Sequence, residues 1–384
     1  MRFYVLGLGP VGSLVAHHLR RTIPRNPEIV LIHRNREQAS KAGNSIQVET
    51  NGVRTKSTGF RSEFTEGTGF NPHPKSLGPN GTVHPDDPLF IQSLIVTCKA
   101  HQTLPAIRRL SPRLSTTSTI VLLQNGMGMY EELVTEVFPN PSYRPHLILA
   151  TNTHGAYLTQ DRVVHAGLGN ITFGIMPEVN GRDFEASSSM HPSHNLSIND
   201  ITKPGDPEYE RYEHLRSTVA ALQLLEGLNA SWQPISKVQL AMRRKLVVNS
   251  IVNPVTCLLR CLNGDVLRLP DMQDLTKRVC AEAAEVFSAQ FEAETRGQDG
   301  GEGHGRLPPA LQPANLVKEV QRVVKATALN KSSMLADIER GRPTEIDYIN
   351  GYLMRLAQMY NVQTPATASL YNLVKMRSAL PLDR

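Results

Sequence analysis

Apolar residues open the chain in a short burst. Phe3-Tyr4-Val5-Leu6 is a compact stretch of β-formers that breaks at Gly7-Leu8-Gly9-Pro10-Val11-Gly12. From Ser13 to Arg20 the apolar positions recur with a helical period. Strand, glycine turn and amphipathic helix therefore follow one another directly. Glu28 to His33 repeats the strand pattern, and Ser45–Phe60 alternates about Asn51-Gly52, which predicts a hairpin with a type I′ turn. Ile91–Thr97, Ser118–Leu123, His146–Thr151 and the segments around Val163 and Ile171 read as further strands. A helix over Glu213–Leu225 and a strand-like Ala230–Gln233 complete this half.

After Pro234 the strand pattern stops. Helical periods cover Ser236–Leu262, with Pro254 as an expected kink, then Met272–Thr295, Pro313–Thr327, Ser333–Arg340 and Glu345–Tyr360. The prediction is an α/β Rossmann-type dinucleotide-binding domain over residues 1–234, followed by an all-α C-terminal domain over 235–384. Three stretches interrupt the pattern and read as insertions. The first, about 61–90, is dense in Gly, Pro, Asn and His; the second, about 178–207, is polar and expected to be mobile; the third, about 297–306, is rich in Gly.

Composition narrows the function. The 384 residues are 40% hydrophobic and 20% charged, too apolar for a disordered chain. No apolar run approaches the ~18 residues of a membrane span. Lys and Arg number 41 against 35 Asp and Glu, and the resulting +6 is spread along the chain with 5% aromatic residues. A nucleic-acid binder should instead concentrate basic residues with stacking rings, so the excess better suits a small anionic ligand. Cys98, Cys257, Cys261 and Cys280 are too few for a disulfide framework and lack CxxC spacing, which points to a soluble protein of a reducing compartment. The first strand follows Met1 at once, with no Arg-rich leader, which favours the cytoplasm, with the mitochondrion as the alternative.

Two patterns carry chemistry. In the glycine turn, Gly7 would permit the bend, Gly9 the approach of backbone amides to a pyrophosphate, and Gly12 the close packing of helix on strand. The second strand ends in Arg34 and Arg36, where an NAD-binding chain would carry Asp or Glu; a guanidinium there favours the 2′-phosphate of NADP(H), Arg34 ahead of Arg36, although two solvated loop arginines would look the same. Farther on, Lys245, Asn249 and Asn253 are spaced i, i+4, i+8 in an otherwise apolar helix. A polar line in such a helix either faces solvent as a surface stripe or needs partners. Reduction of a ketone leaves charge on oxygen, for which a lysine lowered by burial can supply the proton, while the two amides hold substrate oxygens. In the last cluster, Ser332 can cap a helix, and Thr344 with Asp347 resembles a capping box around Glu345.

These motifs, in this order, resemble the ketopantoate reductase (2-dehydropantoate 2-reductase) family: GLGPVG at Gly7–Gly12, TCKAHQ at Thr97–Gln102, QNGMG at Gln124–Gly128, HAGLG at His165–Gly169, RKLVVNSIVNPVT at Arg244–Thr256, NG at Asn263–Gly264, and SSMLAD with TEIDYINGY. The resemblance implies reduction of 2-oxopantoate to D-pantoate with NADPH, on the way to pantothenate and coenzyme A. It implies Lys245 as the catalytic acid and Glu345 as the second catalytic group. Asn249, Asn253, Asn263 and Ser333 fall where the family holds substrate. Lys99 and Asn125 fall on loops near the nicotinamide, and Arg34 falls at the 2′-phosphate. Pro10 and the insertions depart from the family pattern. The partner expected is a small 2-oxo acid, with neither nucleic acid nor membrane, and a homodimer is compatible. Two alternatives stand: a reductase of another branched 2-oxo acid, and a non-catalytic NADP(H)-binding regulator on the same scaffold. His165 is a weaker candidate acid.

Overall fold

The computed structural model describes residues 1–24, 28–65, 87, 89–178, 182–185, 195–299 and 306–380. The chain divides into two compact units, Met1–Gln124 with Met129–Val238, and Asn125–Gly128 with Gln239–Arg384.

The first unit holds twelve strands among its described residues: β1 (Arg2–Leu6), β2 (Glu28–His33), β3 (Ser45–Thr50), β4 (Val53–Thr58), β5 (Phe60–Phe64), β6 (Ser93–Val96), β7 (Thr119–Leu122), β8 (His146–Asn152), β9 (Gly155–Leu158), β10 (Val163–Gly167), β11 (Ile171–Ile175) and β12 (Ala230–Trp232). Eight form one sheet in the order β12-β11-β8-β7-β6-β1-β2-β5. Its pairs are parallel except β8 with β11. β6 and β7 are buried throughout and apolar along most of their length, as strands covered on both faces must be. The chain leaves β1 towards β2 on one side and later fills β6 on the other, so the order reverses between β1 and β6. In open α/β sheets the ends of the strands at such a reversal are where ligands bind.

The other four strands make a small sheet, β4-β3-β10-β9. The predicted hairpin is its centre: Thr50 pairs with Val53, and Asn51 and Gly52 have φ of 51° and 77°, both positive as a type I′ turn needs. This sheet packs on helix α1 (Pro10–Thr22), where buried His17 Nδ1 lies 3.0 Å from Ser57 Oγ.

One insertion boundary is corrected. Residues 61–64 belong to β5, which pairs in parallel with β2 from Ile29↔Phe60 to His33↔Phe64. Its single apolar anchor at each end hid it as a strand. The 178–207 stretch, expected to be polar, contributes apolar residues to the core in its described part. Phe184 and Ile201 are 2% and 0% exposed and belong to the core of the unit, and the Phe184 ring meets Tyr212 at 5.7 Å. Residues 66–86, 88, 179–181, 186–194 and 300–305, which include most of the first and third insertions, lie outside the described residues.

The second unit is helical. Its helices are Ile235–Leu259, Met272–Asp299, Pro313–Ala326, Ser333–Ile338, Asn350–Met359 and Pro365–Ala379. The single helix expected from Glu345 to Tyr360 is instead a 3-10 turn, Ile346–Tyr348, followed by the helix from Asn350. Leu246, Val247, Ile251 and Val252 of the first helix, Phe287 of the second and Leu353 of the fifth share one core. No described helix is long and apolar enough to cross a membrane.

Candidate active site

In the first unit the glycine turn behaves as its spacing requires. Gly7 has φ of +98°, and a Cβ on it would stand 2.2 Å from the Cys98 nitrogen. A Cβ on Gly12 would come within 2.0 Å of the Gly7 carbonyl oxygen and 2.4 Å of Thr97 Oγ1, so only glycine lets α1 dock this closely. Thr97 Oγ1 donates to that same carbonyl at 2.6 Å, tying the loop after β6 to the loop after β1. Gly9 faces open space, with nothing within 4 Å of its Cβ position. It is also the N-cap of α1 and offers no side-chain cap, while Pro10 occupies the first helical position, where a missing amide is harmless. The amides of Val11 and Gly12 thus end the helix without intrahelical acceptors, beside a bare backbone and the positive end of the helix dipole. With Leu8 these residues form a cradle that fits a diphosphate.

The cations expected around that cradle are placed as follows. Arg34 follows β2 directly and is exposed; Arg36 opens the next helix and is also exposed. Between them Asn35 caps that helix, its Oδ1 accepting from Gln38 N at 3.0 Å. Lys99, half-buried, is the N-cap of the helix Ala100–Leu110 that follows β6. Arg34 and Arg36 thus follow β2 and Lys99 follows β6, the two strands that flank β1. His165 belongs to this unit too, with Nε2 2.9 Å from His154 Nδ1; His154 Nε2 in turn reaches the Leu228 carbonyl at 2.9 Å. That buried pair joins β10 to the chain before β12 and serves packing.

The polar line of the second unit lies on the helix Ile235–Leu259, as its spacing requires. Lys245 Nζ donates to Asn125 Oδ1 at 2.8 Å. Burial pushes the lysine down to about 8, and the carboxylate of Glu345 works against that shift. Glu345 is itself buried, 8% exposed. Successive turns of the helix carry Asn249, half-buried, and Asn253, 7% exposed, and neither amide is hydrogen-bonded to another described residue.

Asn125 comes from the connection after β7, yet it packs with the helical unit. Met127 N donates to the Tyr348 carbonyl at 2.9 Å. Gly126, with φ of +83°, would put a Cβ 2.6 Å from that oxygen, and one on Gly128 would meet the Tyr352 ring at 3.0 Å. The two glycines let the loop lie flat on the 346–348 turn, which sets Asn125 against Lys245. Sequence reading placed Asn125 near the cofactor and missed this contact; the paired positive-φ glycines were the available signal.

The remaining residues lie farther along the chain, on the 3-10 turns Asn263–Arg268 and Ile346–Tyr348 and about the helix Ser333–Ile338. Ser332 caps the helix Ser333–Ile338, accepting from Leu335 N at 3.1 Å, and its hydroxyl lies 2.7 Å from Thr256 Oγ1, a turn beyond Asn253. Ser333 is exposed at the start of that short helix. Asn263 N donates to the Asn330 carbonyl at 3.0 Å and Asn263 Nδ2 to Thr327 Oγ1 at 3.0 Å, while its Oδ1 is buried without a partner. The capping box expected at Thr344 and Asp347 is not formed. The Asp347 carboxylate accepts instead from Tyr371 Oη at 2.6 Å and Lys375 Nζ at 3.2 Å, because the segment is one 3-10 turn held to the last helix. Among the described residues no group of His, Cys, Asp and Glu is placed to hold a metal ion.

Two family models match the chain in sequence order. Residues 3–178 match the family model "Ketopantoate reductase PanE/ApbA", and residues 237–378 match "Ketopantoate reductase PanE/ApbA C terminal". The 2-dehydropantoate 2-reductase of Yersinia pestis is 30% identical over 308 residues, which is 79% of this chain and 80% of that protein. That of Saccharomyces cerevisiae is 26% identical over 393 residues, 99% of this chain and 95% of that one. Among solved structures, D-mandelate dehydrogenase in complex with NADH and anilino(oxo)acetate shares the fold, with a TM-score of 0.69, 18% identity and 98% of each chain covered.

Proposed function

The chain belongs to the ketopantoate reductase family, and from that premise we propose that it reduces 2-dehydropantoate to D-pantoate with NADPH in the cytoplasm, as a step towards pantothenate and coenzyme A. The observation that carries this reading is the half-buried Lys245, held by Asn125 and lowered to about 8 beside Glu345. A regulator that only senses a dinucleotide needs the glycine cradle but no proton donor of this kind.

The residues divide the work. Leu8, Gly9, Val11 and Gly12 would hold the diphosphate through backbone amides, Gly7 and Pro10 shape the turn, and Arg34 would pair with the 2′-phosphate. Lys99 would add a cation near the same strand ends. When bound, NADPH supplies the hydride that C2 of the oxo acid accepts. Lys245 gives its proton to the oxygen on that carbon, where negative charge develops. A lysine near 8 is still protonated at neutral pH and is a far better acid than one at 10.5, which suits it to this transfer. Asn125 aims the ammonium, and Glu345 keeps part of its charge compensated. Asn249 and Asn253 hold the carboxylate and hydroxyl of the substrate without competing for the proton, with Asn263 and Ser333 at the edge of the same set.

The test is a comparison of kcat/KM for ketopantoate and for 2-oxoisovalerate with NADPH. Only ketopantoate offers the amides a hydroxyl, and a site built to bond a hydroxyl discriminates strongly against its absence. A preference of at least about tenfold for ketopantoate is expected, since one charge-free hydrogen bond is worth about 1 kcal/mol and the orphaned partners add more. Equal values would move the assignment to another branched 2-oxo acid.

A further inference from the structure

Pro254 sits inside a helix of 25 residues, where proline costs about 3 kcal/mol relative to alanine because it removes an amide donor and crowds the carbonyl four residues earlier. That carbonyl belongs to Ser250, a fully buried residue. It is not left bare. Asn350 Nδ2 donates to the Ser250 carbonyl oxygen at 3.0 Å, and Asn350 is itself 0% exposed. The missing helical donor is thus replaced by a side chain from another element. Asn350 opens the helix Asn350–Met359, directly after the turn that follows Glu345. Ser250 lies between Asn249 and Asn253, one residue past the first of them.

We propose that Pro254 and Asn350 form a positioning pair, in which the proline exposes the Ser250 carbonyl so that Asn350 can fix the Glu345-bearing segment in register on the helix that carries Lys245, Asn249 and Asn253. Neither residue touches substrate in this role. Helix packing alone leaves a neighbouring segment free to slide by fractions of a turn, whereas a buried hydrogen bond to one carbonyl selects one register. The same segment bears the Tyr348 carbonyl that anchors Met127, so the register of Asn350 also sets the Asn125 loop. Glu345 and Asn125 both act on the Lys245 ammonium, one charged and one neutral; Arg244, on the same helix, is engaged by Glu319 at 3.0 Å, and Arg243 lies over the Phe291 ring at 5.1 Å. The proposal rests on the reading of Lys245 as proton donor.

A double-mutant cycle of Asn350→Ala and Pro254→Ala tests it, read by Tm, by kcat with ketopantoate, and by the pH midpoint of Lys245 acetylation with acetic anhydride followed by mass spectrometry, which needs no turnover. Asn350→Ala alone orphans the Ser250 carbonyl; it should lower Tm, cut kcat about tenfold and displace the Lys245 midpoint. Adding Pro254→Ala returns an intrahelical donor to Ser250, so Tm recovers while kcat stays low and the midpoint stays displaced. If kcat and the midpoint recover together with Tm, the pair serves stability alone and the proposal is overturned. A Tm for Asn350→Ala equal to that of the parent also overturns it. Should the single variant not fold, the double variant, whose helix is repaired, carries the same expectation for kcat and midpoint. A parent inert towards every 2-oxo acid would contradict the functional reading, and the Lys245 midpoint would then decide this one.

Discussion

Lys245 is the proposed proton donor, and its environment gives two predictions of opposite sign. Burial disfavours its charged form, so the folded protein releases this proton near pH 8, whereas an unfolded lysine holds it to about 10.5. As the donor must be an ammonium, kcat for reduction should be level below pH 8 and fall above it. A level profile through pH 10 would exclude Lys245 as the donor. For stability the order reverses. Between pH 8 and 10.5 the unfolded chain binds the extra proton, so this group makes stability rise with pH across that window, and below pH 8 its burial penalty is complete. Lys245→Met should therefore melt higher than the parent at pH 7, by about 2 °C or more, while losing turnover. A lower Tm would mean that the ammonium is better paired than its neighbours suggest. Arg34 is tested separately. Arg34→Ala should raise KM for NADPH about 10- to 100-fold, the worth of charge-assisted hydrogen bonds to a phosphate, and leave KM for NADH almost unchanged. Equal effects on both would show that the side chain is merely solvated.

At the scale of elements, capping and register decide what holds. The last helix, Pro365–Ala379, has no cap from its own Thr364. Glu282, nine-tenths buried on the helix Met272–Asp299, supplies one: its carboxylate accepts from Ala366 N at 2.7 Å, Thr367 N at 2.9 Å and Thr367 Oγ1 at 2.7 Å. Glu282→Ala leaves those donors buried and should cost about 1–3 kcal/mol, a fall in Tm of roughly 5 °C, with KM for both substrates preserved. An unchanged Tm would show that water replaces the carboxylate. Such caps are invisible in sequence because donor and acceptor are more than 80 residues apart. The same reason hid the bond from Asn350 to Ser250, which sequence could register only as a proline in a helix. Local signals fared better. The Asn51-Gly52 hairpin and the Ser332 cap each depend on residues within a few positions of one another, and both form as read. The capping box at Thr344 failed on tertiary grounds, since Tyr371 and Lys375 draw Asp347 to the last helix.

On the scale of the molecule, the period of the apolar residues reveals the change from strands to helices, because it is repeated over hundreds of positions. What it could not reveal is that Asn125–Gly128 leaves the sheet unit to pack with the helices, since four residues carry no period and the contact is made by backbone and glycine. The +6 charge acquires meaning only locally, in Arg34, Lys99 and Lys245, for which we propose phosphate, cofactor and oxo acid as partners. The central proposal is that this ketopantoate reductase family member takes its proton from Lys245. Its most direct test is the rate of NADPH oxidation with ketopantoate, measured for the parent and for Lys245→Met after NADPH binding has been verified in both. The parent should turn over, and the variant should bind NADPH normally yet lose about 10²- to 10⁴-fold in kcat, the usual range for a positioned proton donor. A parent that binds NADPH without turnover, or a variant that keeps its kcat, would contradict the account.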